Sequence, residues 1–175
     1  RSTDTTASVQ LAFASIENLT GGSSVDTFSF SNQAALTGTI DGAGGLDALI
    51  GDDARANESF IIDGPNTGLF LSGTTPLLAR FNNIETLVGA AGADSFTFSN
   101  AGTLDGSIDG VGGIDTIIGD NDGNVFDITA NDAGTLATKI NLLSLVPNAF
   151  INVENLTGGS GVDTFNIAAT IVRSE

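Results

Sequence analysis

A repeat of 68 to 69 residues runs through the chain and constrains its fold more than any other feature. The block Phe13-x-x-Ile16-Glu17-x-Leu19-x-Gly21 returns as Phe81-x-x-Ile84-Glu85-x-Leu87-x-Gly89. It returns again as Phe150-x-x-Val153-Glu154-x-Leu156-x-Gly158. Each copy leads into the same segment: Asp26-Thr27-Phe28, Asp94-Ser95-Phe96 and Asp163-Thr164-Phe165. Inside the long period lies a shorter one, because Leu19 and Ile40 stand 21 residues apart, as do Leu87 and Ile108. A weaker third unit falls at Ile62-Asp63-Gly64 and around Val125-Phe126-Asp127-Ile128, giving three units of about 20–25 residues per period. So short a unit cannot bury an apolar face alone, so it has to stack on its neighbours.

The segments alternate as half-buried strands do. Phe28 and Phe30 point one way and the intervening hydroxyl the other, and Phe96 and Phe98 repeat the pattern. Phe165 and Ile167 follow it in the third copy. The 23 Gly and 3 Pro suit tight turns and weaken helix interiors. Residues 137–146 carry apolar positions that strand and loop explain as well as helix does. The expected fold is therefore all-β: a single parallel β-helix, or β-solenoid, over residues 1–175. Seven or eight coils of about 20–25 residues would stack about 4.8 Å apart, with the Phe ladders inside. The long repeats run over about 13–80, 81–149 and a partial 150–175.

Composition removes several classes of function. Five Lys+Arg against 21 Asp+Glu leave a net charge of −16, the wrong sign for nucleic-acid phosphates or an anionic membrane surface. No Cys and no His means no thiolate, no zinc-thiolate site, no imidazole base and no Ser-His-Asp triad. No apolar run reaches the length of a membrane-spanning helix. The lack of Met suggests a processed product or an excerpt of a longer chain.

The Gly-Asp turns offer the one candidate for ligand chemistry. Gly158-Gly159-Ser160-Gly161-Val162-Asp163-Thr164-Phe165-Asn166 fits the nonapeptide G-G-x-G-x-D-x-U-x at every fixed position. The turns that end at Asp26, Asp47, Asp94 and Asp115 are looser copies. These turns resemble those of the repeats-in-toxin family, in which Asp carboxylates and backbone carbonyls on successive coils clamp Ca²⁺. That resemblance implies calcium at Asp26, Asp47, Asp94, Asp115 and Asp163. A 21-residue offset would bring Asp26 beside Asp47 and Asp94 beside Asp115. Asp41, Asp52, Asp109 and Asp120 recur nearby as further ligands or only as negative field. The alternative needs no metal: an Asp before a strand accepts N–H groups of its own turn. The recurrent Glu17, Glu85 and Glu154 read as a solvated row or as turn acceptors.

The long repeat resembles those of giant bacterial surface proteins, filamentous-haemagglutinin-like and hemolysin-type. That likeness implies secretion or display at a bacterial surface, a non-enzymatic adhesive or structural role, and contacts with a cell surface or matrix. Both ends read as an open array, since the chain enters at the tail of one repeat and stops one strand into another. From Phe165 to the Phe13 of a following copy is 23 residues, about one coil, which favours end-to-end self-association. A calcium-binding module of a larger exported adhesin or enzyme is the second expectation. An enzyme fits poorly, because the acids sit in repeated turns and Trp and Tyr are absent as sugar platforms.

Overall fold

The computed structural model describes residues 16–100, 102–138 and 148–168. Phe13 and the segment 139–147 lie outside the described residues. Every regular element among those described is a β-strand, sixteen in all, arranged in two eight-stranded sheets.

The chain crosses from sheet to sheet at its Gly-Asp turns and at the loops between them. Strand β1 (Leu19–Thr20) lies in the first sheet and β2 (Thr27–Ser29) in the second. Then β3 (Thr39–Asp41) returns to the first and β4 (Ala48–Ile50) to the second. Pairing is parallel at the expected offset, with Leu19 opposite Ile40 and Phe28 opposite Leu49. In the second repeat β8 (Thr86–Val88) and β10 (Ser107–Asp109) pair in parallel, as do β9 (Ser95–Phe98) and β11 (Thr116–Ile118). Last come β15 (Asn155–Thr157) and β16 (Thr164–Ile167).

The third unit of each repeat differs from the expected parallel coil. It is an antiparallel meander of three strands that stay in one sheet. The first comprises β5 (Glu58–Gly64), β6 (Thr67–Ser72) and β7 (Thr75–Asn82). The second comprises β12 (Asn124–Ala130), β13 (Ala133–Thr138) and β14 (Asn148–Ile151). The cause is local turn chemistry. Asn66 and Asp132 sit at φ 50 and 54, the left-handed region that Asn and Asp tolerate, and each reverses the chain within a few residues. Each meander also needs a glycine opposite an aromatic ring. A Cβ on Gly68 would lie 2.6 Å from Phe81 Cζ, and one on Gly134 2.8 Å from Phe150 Cζ.

A meander strand then hands the chain to the opposite sheet. Each long repeat thus makes five sheet-to-sheet crossings, and an odd number exchanges the sheets. The equivalent leucine strand lies in the first sheet at Leu19, in the second at Leu87 and in the first again at Leu156.

The core lies between the sheets. Phe60 stacks on Phe70 at 4.5 Å and on Phe96 at 5.0 Å, and Phe126 stacks on Phe165 at 4.8 Å. Phe30, Phe96 and Phe98 are buried as the alternation predicts, and each such side chain contributes roughly 1.5–3 kcal/mol. Phe28 is half-buried, while Phe165 on the outermost described strand stays 44% exposed.

Candidate functional site: the carboxylates of the stacked turns

The sequence places an acid immediately before, or as the first residue of, β2, β4, β5, β8, β9, β11, β15 and β16. At that position the last N–H of the turn points along the stack, beyond reach of its own strand's ladder. A carboxylate on the adjacent turn meets it. The N–H of Asp26 donates to Oδ1 of Asp47 at 2.8 Å, and the N–H of Asp47 donates to Oε2 of Glu85 at 2.8 Å. In the other stack Glu58 N–H donates to Asp94 Oδ1, Asp94 N–H to Asp115 Oδ1 and Asp115 N–H to Glu154 Oε2, at 2.7 to 2.8 Å. Asn124 N–H donates to Asp163 Oδ1 at 2.9 Å.

All five Asp residues expected from the sequence therefore belong to these ladders, and the expected neighbours, Asp26 with Asp47 and Asp94 with Asp115, are hydrogen-bonded. Of the two readings of Glu85, a solvated residue or a turn acceptor, the second holds: it is buried, accepts the N–H of Asp47 and terminates one ladder. Glu154 terminates another while exposed. Glu58 was not singled out by sequence, although Glu58-Ser59-Phe60 repeats the acid-hydroxyl-Phe pattern of Asp94-Ser95-Phe96.

The second carboxylate oxygens divide the turns into two kinds. Asp26 Oδ2 accepts the N–H of Gly22 at 2.6 Å, and Asp94 Oδ2 that of Ala90 at 2.8 Å. In the turns of Asp47 and Asp115 the corresponding residues, Ala43 and Val111, take φ 70 and 69. Their N–H groups turn away to Oδ1 of Asp41 and Asp109, which also accept from the side chains of Asn83 and Asn152. Oδ2 of Asp47 and of Asp115 is left buried with no hydrogen-bond partner. Glycines make room for these oxygens: a Cβ on Gly21 would lie 2.7 Å from Asp26 Oδ2, and one on Gly42 or Gly110 would meet Oδ2 of Asp47 or Asp115. The Gly-to-Asp spacing of the motif is thus steric.

Burial without full pairing raises two acids. Loss of solvent pushes Asp115 up to about 6, against the N–H of Asp94; the charges of Asp94, Glu154 and Asp109 push the same way. Burial likewise pushes Glu58 up to about 7, opposed by the Asp52 N–H and Arg55, and reinforced by Asp94 and Asp52. Its Oε1 has no hydrogen-bond partner, and the Arg55 guanidinium stands 3.9 Å away.

The fit to calcium is partial. The cation takes six to eight oxygens, and four buried carboxylate oxygens, on Asp47, Glu58, Asp115 and Asp120, have no hydrogen-bond partner. Among the described residues, however, no three acids stand together as a metal group. Of the nearby acids, expected as further ligands or only as negative field, Asp41 and Asp109 accept as described above, and Asp52 accepts the N–H groups of Gln33 and Ala54. Asp120 accepts that of Asp122. Comparison with protein-family models, curated proteins and solved structures gives no match.

Proposed function

We propose that the chain is a non-enzymatic structural segment, a β-solenoid that serves as a stiff spacer or scaffold in an exported bacterial surface or matrix assembly. The observation that supports this reading is how the acids are used. Six acids in the turns spend at least one oxygen on backbone N–H groups of the adjacent turn, so the chemistry-bearing side chains hold the stack together. Eight strands per sheet at about 4.8 Å would make a block roughly 35–40 Å along the stacking axis. Export and surface display come from the resemblance of the long repeat, and the adhesive role rests on the same likeness.

A calcium-binding module is the second reading, favoured by the orphan oxygens of Asp47 and Asp115. A single titration separates the two. Thermal unfolding is followed with millimolar calcium and with a chelator. A structural stack held by its own N–H groups melts at the same temperature in both. A rise that grows with calcium concentration supports the module, because a ligand bound only by the folded state stabilises it by mass action.

A further inference from the structure

We infer that the two ends of this chain are complementary and that the partner at each end is a second copy of the same chain, docked head to tail. This deepens the scaffold reading and rests on it.

Three observations carry the inference. The first is polarity. In the first sheet β1, β3 and β7 run parallel, two antiparallel steps through β6 restore the direction at β5, and β9, β11 and β15 keep it. The same count applies from β2 to β16 in the second sheet. The outermost described strands at the two ends therefore point the same way, and a translated copy continues both sheets in parallel.

The second is register. Leu19 to Phe28 and Leu156 to Phe165 are both nine residues, within segments 18–28 and 155–165 that differ only at Ser24 and Gly161. When Leu156 lies over Leu19, Phe165 lies over Phe28 in the other sheet. An apolar recess of about 320 Å³, lined by Leu19, Phe28, Phe30, Leu36 and Ile40 among others, opens at the β1–β2 end. At the other end Phe165 is 44% and Ile167 69% exposed.

The third is the carboxylate ladder, which is directional. Each step runs from an N–H to a carboxylate one turn nearer the C-terminal end. Among the described residues, Asp26 Oδ1 accepts from no N–H, and the N–H of Asp163 donates to no carboxylate. One end thus offers the acceptor and the other the donor of the step that recurs from Asp26 to Asp47 and from Asp94 to Asp115. Copies joined through like ends would face donor to donor and acceptor to acceptor, with strands antiparallel.

Because the chain has no Cys, engineered thiols report the contact without background. Thr27→Cys, Thr164→Cys and the double variant are oxidised across a concentration series and their masses compared. The expected result is a ladder of covalent multimers from the double variant and monomers from each single one. The unmodified chain is sedimented in parallel, and its average mass should rise with concentration. Phe165→Asp should weaken that association at least about tenfold, with the far-ultraviolet circular dichroism spectrum of the parent retained. Dimers from either single variant would mean like-end contacts and overturn the proposal. So would a chain that stays monomeric at all concentrations with no multimer ladder from the double variant. A folded, calcium-insensitive monomer would sink the docking and leave the scaffold reading standing. A calcium-dependent melt would sink that reading instead.

Discussion

The backbone N–H of Asp94 reaches Oδ1 of Asp115 across 2.8 Å, joining residues 21 positions apart on adjacent turns. The pair Asp26 and Asp47 makes the same bond at the same distance. Coils joined only through short strands of two to four residues have few ladder bonds at their corners. A carboxylate acceptor supplies one there, and a charged acceptor is stronger than a neutral one.

Asp47→Ala should therefore cost about 1–3 kcal/mol, since it strands the Asp26 N–H. Asp47→Asn keeps an acceptor oxygen and removes a buried charge, so it should stay within about 1 kcal/mol of the parent. Urea unfolding of both variants checks this. An alanine variant as stable as the parent would show that the ladder is geometric only.

Val111 holds φ 69 with a β-branched side chain that is 49% exposed, and Ala43 holds φ 70. A non-glycine residue there costs about 1–2 kcal/mol, against roughly 0.5–1 kcal/mol for the freedom glycine loses on folding. Val111→Gly should raise stability by about 0.5–1 kcal/mol, with a smaller gain for Ala43→Gly. A differential-scanning melt that falls for both would refute the strain argument.

Glu58 and Asp115 hold their protons more tightly in the folded chain than the ordinary 4.5 and 3.8. The folded state therefore carries more protons between those values and about 6 to 7, and stability falls as pH rises through that window. The melting temperature should be higher at pH 5 than at pH 8. Asn124, a neutral amide, occupies the position of Glu58 in the second repeat and donates to the Asp120 carbonyl. Glu58→Gln should accordingly stabilise the chain at pH 8 by up to roughly 2–3 kcal/mol and flatten the profile. An equally steep profile in the variant would assign the dependence elsewhere.

Gly68→Ala and Gly134→Ala each drive a methyl into a buried phenylalanine ring and should cost about 1–3 kcal/mol or more. Gly112→Ala, with nothing within 4 Å of its Cβ and no positive φ, is the control and should change little. Chemical denaturation midpoints of the three variants separate packing from backbone effects.

The repeat, the β content and the 21-residue parallel pairs are legible in the sequence because side-chain alternation reports which face is buried. Alternation does not report strand direction. Phe60, Ile62 and Phe70 satisfy a coil and a hairpin equally; the reversal falls at Asn66, and Asn83 takes a similar left-handed φ without starting a hairpin, so residue type alone does not announce it. The neighbours of the turn acids follow from spacing, but their occupation does not. Whether Asp47 spends its oxygens on an N–H or leaves one unpaired depends on the left-handed turn at Ala43, a position where the residue type gives no warning.

The exchange of sheets by an odd number of crossings makes the long repeat a half-step of the architecture. Equivalent corner residues appear on alternate sides: Ser23 and Ser160 face one flank, and Ala91, their counterpart in the middle repeat, faces the other. Any handle carried by every copy would decorate both flanks of a long array in turn. A one-sided array would require the handle in every second copy only, so selection for sidedness would leave a sequence period of about 137 residues in place of 68.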